Sequence, residues 1–173
     1  MLSKNLQDAI NAQVNAEFWS AYLYLSMSAD AEAKGFKGVS NWFYVQFREE
    51  QDHARILMNY ILARGGRVEL APIAAVKTSW GSQLEAFEET LVHERKVTAL
   101  INNLYDLAIA EKDHATSSML KWFIDEQVEE EESATSIIES LKQVEGNKLG
   151  LYMIDKELAA RTYTQAAPLA GKE

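Results

Sequence analysis

A glutamate and a histidine one helical turn apart carry the first chemical signal in this chain. Glu50 and His53 lie in the run Arg48-Glu49-Glu50-Gln51-Asp52-His53, inside a segment whose apolar residues Val39, Phe43, Phe47, Ala54, Leu57 and Ile61 recur at helical spacing. Glu50 falls on that apolar stripe, so a glutamate is aimed at the core. His53, three residues on, stands on the same side, and the pair can hold one small cation from one helix face. Alone, Glu-x-x-His is a weak signal. It gains force only if other helices bring carboxylates to the same height.

The elements that must do so can be read in order. A first helix is expected from about Lys4 to Ala33, with Ser3 as N-cap and a stripe of Leu6, Ile10, Val14, Phe18, Ala21 and Leu25; Glu17 and Tyr24 fall beside that stripe. Gly35 and Gly38 bracket a short turn, and the second helix runs from about Val39 to Arg64, ending at Gly65-Gly66. Gly66 to Gly81 contains Pro72 and no helical period. Fully extended, this stretch reaches roughly 50 Å at about 3.3 Å per residue, against about 40 Å for a helix the length of the second. The connection can therefore run the length of a bundle.

Ser82-Gln83-Leu84-Glu85 has the form of a capping box and starts a third helix, with Leu84, Phe87, Leu91, Glu94, Thr98, Ile101, Tyr105 and Ala108 on its stripe. A fourth helix is expected from near Thr116 to about residue 144, its stripe Met119, Phe123, Gln127, Glu130, Ala134, Ile137 and Leu141. Leu151 to Arg161 makes a short fifth helix, and the tail from Thr162 to Glu173 reads as loosely ordered. Short turns make the first pair and the last pair antiparallel, and the long link makes the second and third helices parallel. The expected fold is all-α: an up-down-down-up four-helix bundle with one long crossover and a short C-terminal fifth helix, as one domain over residues 1–161 and a tail over 162–173.

Each long helix carries its misplaced polar group near its midpoint: Glu17, then Glu50 and His53, then Glu94, then Gln127 and Glu130. Midpoints of helices packed side by side lie at one height whichever way each runs. Four carboxylates buried together without counter-charge cost many kcal/mol or must stay protonated. Two divalent cations neutralise them. Oxygen ligands with one imidazole and no sulfur suit iron or manganese and leave zinc open. Glu50 can bridge two metals, with Glu17 and His53 on the first and Glu94 and Glu130 on the second; uncharged Gln127 can hydrogen-bond a metal-bound water.

Composition narrows the classes. The 173 residues suffice for one full core, and a net charge of −9 disfavours nucleic acid or an acidic membrane surface as partner. With no cysteine, disulfides and thiolate metal sites are excluded. The N-terminus leads directly into an amphipathic helix with no secretory apolar segment, and no apolar run is long enough to span a bilayer, so a soluble, cytoplasmic protein is expected.

Glu17, Glu50-x-x-His53, Glu94 and Gln127-x-x-Glu130 resemble the ferroxidase centre of the ferritins, over nearly the whole chain including the crossover and the fifth helix. Carboxylate-bridged bundles of this class commonly carry Glu-x-x-His on two helices. Here the fourth helix departs: Gln127 stands for the Glu and Glu130 for the His. The resemblance implies an iron-storage protein that oxidises Fe(II) with oxygen or hydrogen peroxide at a two-iron centre, inside a hollow homo-oligomer of 24 subunits. It further implies a third iron site at Glu49, Glu126 and Glu129, as in the bacterial non-haem branch. A bacterioferritin would carry a haem-ligating Met where Gln51 stands, so no haem is expected. Tyr24 could donate an electron or a hydrogen bond, or be a core tyrosine with a satisfied hydroxyl, and Trp122 has the same two readings. Glu131 and Glu132 read as solvated, His93 as exposed and His114 as structural. Two rivals remain: a stand-alone di-iron oxidase or peroxidase that keeps its metal, and a structural bundle whose buried acids bind metal adventitiously.

Overall fold

The computed structural model describes residues 1–171 and folds them into five α-helices: α1 Lys4–Ala33, α2 Lys37–Ala63, α3 Gln83–Ala110, α4 His114–Gln143 and α5 Lys148–Leu158, with a 3-10 turn at Ala167–Leu169. The first four make the expected bundle. Its crossover is pinned to α1 along its course: the Gln7 side chain accepts from Arg67 N at 2.9 Å, Asn11 exchanges bonds with Arg67 O and Glu69 N, Ser26 donates to Lys77 O, and Asp30 accepts from Trp80 N. The link thus returns from the α1 N-terminal end to its C-terminal end. It delivers α3 parallel to α2.

The helix ends follow local chemistry. Ser3 and Ser82 accept from Leu6 N and Glu85 N as N-caps, while Glu85 reaches back to Gly81 N, one residue before the cap. The fourth helix starts at His114, two residues before the expected Thr116, because Asp113 is the cap and accepts from Thr116 N at 3.0 Å. The turn before it lacks glycine, and Lys112 takes the left-handed conformation instead, at φ 57°. The second helix also starts two residues early, at Lys37. Its own cap position, Phe36, offers no side-chain acceptor, and Asp155 of α5 supplies one to Gly38 N and Val39 N at 2.9 and 3.0 Å. A Cβ on Gly38 would lie 1.6 Å from the Asp155 carbonyl oxygen, so only glycine admits α5 here. The fifth helix begins at Lys148, three residues before the expected Leu151, since the Asn147 side chain caps both Leu149 N and Gly150 N at 3.1 Å.

The core is two apolar clusters. One gathers Leu6, Ile10, Val14, Leu57, Ile61, Ile101, Ala108 and Phe123; the other gathers Tyr24, Met27, Val39, Phe43, Phe87, Ile138 and Leu141. Between them, at mid-bundle, lies a polar layer. The expected stripes of α3 and α4 need correction at their edges: Leu84, Leu91, Thr98, Tyr105, Met119 and Ile137 are half-buried, while Thr90, Val97, Leu104, Leu120 and Ile138 are buried. A face buried between three neighbours is wider than a single seam.

The tail differs from expectation over its described residues. Tyr163 OH and Ala166 N both donate to Asp52 of α2, at 2.7 and 2.9 Å, the Arg48 guanidinium lies 3.7 Å from the Tyr163 ring centroid, and Leu169 is buried in the first apolar cluster. This segment is strapped to α2. The last two positions of the expected tail, Lys172 and Glu173, lie outside the described residues. No described helix is long and apolar enough to cross a membrane.

Candidate metal centre

The polar layer consists of the side chains that the helical spacing singles out. Glu17, Glu50, His53, Glu94, Gln127 and Glu130 are between 1% and 7% exposed, which rules out a solvated face. Ligand atoms of Glu17, Glu50 and His53 lie within 4.8 Å of one another, the one such triad of acidic and histidine side chains among the described residues. His53 Nδ1 is 3.5 Å from Glu50 Oε2. Its ring packs edge-on against Trp122 and Phe123, which fixes the plane in which a nitrogen is presented.

Hydrogen bonds divide this layer. Gln13, one turn before Glu17, donates to Glu17 Oε1 at 2.8 Å, but Oε2 of Glu17 and Oε2 of Glu50 are buried without a hydrogen-bond partner. Two orphaned carboxylate oxygens beside a histidine are a donor set that a cation completes. Across the layer, Glu94 accepts from Tyr24 OH and, at 3.1 Å, from Gln127 Nε2; Glu130 accepts from Gln46 Nε2 at 2.8 Å. Glu94 and Glu130 thus arrive already held.

Burial sets the charge state. It drives the Glu17 carboxyl well above the ordinary range, with the neighbouring Glu50 adding repulsion, and it does the same to Glu50, which faces Glu94 and Glu130. Burial and then Glu94 push Glu130 up to about 8. Glu94 is raised by burial as well, opposed by the Tyr24 and Gln127 hydrogen bonds. Burial and Glu94 hold the Tyr24 phenol far above its usual value, so it stays a donor. Without a cation burial favours the protonated forms of these carboxyls, and a bound cation favours their release.

The outer acids are differently placed. Glu49 is half-buried and paired with Arg161 at 2.6 Å, Glu126 is half-buried, and Glu129 is exposed. They do not form a triad within ligand distance, although burial raises both Glu49 and Glu126, with Glu126 adding repulsion at Glu49 and Glu129 at Glu126. Gln51 is exposed and bonds back to Phe47 O. Glu131 is half-buried and accepts from Thr98 at 2.7 Å, where solvent was expected. His93 is not exposed either. It lies 2.8 Å from Ser20 Oγ, between Trp19 and Tyr24, and burial with Lys96 nearby pushes its pKa down to about 4. Gln13, Gln46 and Arg161 are the neighbours that spacing did not flag. Gln13 and Gln46 each stand four residues before a buried glutamate, a signal present in the sequence; Arg161 has none.

Comparison with known proteins identifies the family. The ferritin-like domain family matches residues 7–144. The bacterial non-heme ferritin of Bacteroides fragilis is 45% identical over 93% of this chain and 100% of its own, and that of Staphylococcus aureus is 40% identical over 95% and 99%. Among solved structures, an open-pore ferritin from the hyperthermophilic archaeon Archaeoglobus fulgidus superposes with a TM-score of 0.93 at 44% identity, covering 94% of this chain and all of that one. An engineered closed form of the same archaeal ferritin gives 0.94 at 43%, over 95% and 100%. By sequence over nearly full length and by fold alike, the chain belongs to the ferritin family.

Proposed function

We propose that this chain is an iron-storage ferritin whose polar layer oxidises Fe(II) and passes Fe(III) to a mineral inside a hollow homo-oligomer of 24 subunits in the cytoplasm. The observation that carries the reading is the pair of buried, unpartnered oxygens on Glu17 and Glu50 beside His53. Buried carboxylate oxygens of this kind are costly, and a cation satisfies both at once.

The substrate is Fe(II). Glu17 and His53 hold one ion, Glu94 and Glu130 the second, and Glu50 spans both. Carboxylates that shed protons on binding stabilise the rising charge as each iron loses one electron. With oxygen as acceptor, two Fe(II), one O2 and two protons give two Fe(III) and one hydrogen peroxide; with peroxide, two Fe(II), one H2O2 and two protons give two Fe(III) and two waters. Gln127, uncharged and tied to Glu94, holds its ion less firmly than a carboxylate does, which favours onward movement of product. Glu49, Glu126 and Glu129, at the edge of the layer, offer separate carboxylates along that route.

Aerobic Fe(II) loading of the purified chain, followed by sizing and electron imaging, tests this. A large shell with an electron-dense interior and many irons per chain is expected. A small particle that retains two irons per chain is the result of a stand-alone di-iron oxidase and sinks storage.

A further inference from the structure

Glu130 is the one carboxylate of the polar layer reached by a chain of side chains from outside the four-helix bundle. Arg161, just after α5, donates through Nη2 to Gln46 Oε1 at 2.5 Å and to Glu49 Oε2 at 2.6 Å. Gln46 is fully buried, and its amide nitrogen donates to Glu130 Oε2 at 2.8 Å. Arg161 itself is anchored: its guanidinium lies 4.6 Å from the Trp42 ring centroid, and its carbonyl accepts from Asn41 at 2.9 Å.

The polarity of that amide matters. A glutamine side chain can present either its carbonyl or its NH2 group to a neighbour, and the two orientations are nearly isosteric. A guanidinium has five donors and no acceptor, so it accepts only the carbonyl end. With the carbonyl committed to Arg161, the NH2 group must face Glu130.

We propose that Arg161 and Gln46 form a positioning relay for the second half of the metal centre: Arg161 fixes the polarity of the Gln46 amide, and the amide holds Glu130 Oε2 so that Oε1 is left to take a cation. This rests on the reading of the polar layer as a metal centre. The residue that sets the geometry of a buried ligand on α4 therefore comes from the segment after α5, and it works through α2. Outer hydrogen bonds of this kind orient ligands, and their loss typically weakens metal binding by about 10- to 100-fold.

Electrostatics alone predicts the opposite sign. Arg161 is a cation beside a cation site, so removing its charge should tighten metal binding if charge were its whole role. That contrast makes the relay testable without any turnover.

The experiment is an anaerobic titration of the metal-free, full-length chain with Co(II), which is redox-inert here, followed by calorimetry and visible absorption. It compares wild type, Gln46→Met, Arg161→Met and the double variant. The expected result is a first ion unchanged in all four proteins and a second ion weakened about tenfold in each single variant, with the double variant no weaker than Gln46→Met alone. Tighter binding of the second ion in Arg161→Met overturns the relay, as does equal weakening of both ions, which marks general loosening of the fold. Additive losses in the double variant also overturn it. A wild-type chain with no Co(II) site overturns the centre and the relay together, whereas two ions with unaffected variants overturn the relay alone.

Discussion

On the α1–α2 side of the polar layer, Glu17 and Glu50 each keep a buried oxygen without a partner and His53 stands in ligand range of both; on the α3–α4 side, Glu94 and Glu130 are already held by Tyr24, Gln127 and Gln46. The difference is one of what a cation gains. On the first side it satisfies carboxylate oxygens that have no hydrogen-bond partner in the protein, and it meets the only imidazole of the layer. On the second it meets carboxylates that hydrogen bonds already orient, and no imidazole. The centre is asymmetric before any metal arrives. Its first position should bind tightly and its second should exchange, which suits a protein through which iron passes. Two equal Fe(II) affinities in an anaerobic titration would count against this.

Glu50 is the residue the two sides share, so it offers the largest break. Glu50→Ala should lower the initial rate of Fe(II) oxidation by at least about 100-fold, followed as Fe(III) absorbance, and abolish the distinction between the two ions. A rate within a few-fold of wild type returns the buried acids to a structural role. A narrower cut falls on one side only: His53→Ala should weaken the tight ion by about 30-fold and leave the second nearly unchanged, read by the same titration. Equal weakening of both ions would erase the comparison.

The pH dependence of the metal-free protein sharpens it further. The Glu130 carboxyl titrates at about 8 in the fold against 4.5 as its ordinary value, and Glu17 and Glu50 are shifted the same way by burial. Between those two pH values the folded chain binds more protons than the unfolded one. The stability that protonated Glu130 allows is therefore fully present below 4.5 and is lost as pH rises towards about 8, at roughly 1 kcal/mol per pH unit, and Glu17 and Glu50 act in the same direction. Melting temperature of the metal-free chain should fall across that window. Divalent metal should flatten or reverse the trend, because the bound carboxylates are deprotonated. A metal-free profile that rises with pH would mean that the layer is ionised and otherwise compensated.

Much of this was legible because it is helical arithmetic. Glu17, Glu50, Glu94 and Glu130 each interrupt or flank an apolar stripe near a helix midpoint, and a long link between the second and third helices leaves one topology. What was not legible depends on where other segments land. His93 is turned from Glu94 as spacing says, yet α1 covers that second face with Trp19 and Ser20, so the histidine is enclosed. The early start of α2 needs an acceptor on Asp155, more than a hundred residues away in sequence. The strap after α5 has mostly alanines for its apolar residues and no helical period, and its seat on Asp52 and the bundle surface orders it. Arg161 acquires its partners by that same return path.

The smallest expected effect isolates the hydrogen bonds that distinguish the second side. Tyr24 is fully buried, its ring stacked on Phe43 with centroids 6.1 Å apart, and only its hydroxyl reaches Glu94. Tyr24→Phe keeps the packing and removes that one donor, leaving Glu94 with Gln127 alone. One orienting hydrogen bond is worth about 1 kcal/mol net, which converts to a loss of about fivefold in affinity for the second ion and none for the first. If the hydroxyl also supplies an electron during oxidation, the rate falls further than binding does. A loss confined to the rate, with both Co(II) affinities intact, would move Tyr24 from ligand positioning to redox chemistry; a loss confined to affinity would do the reverse.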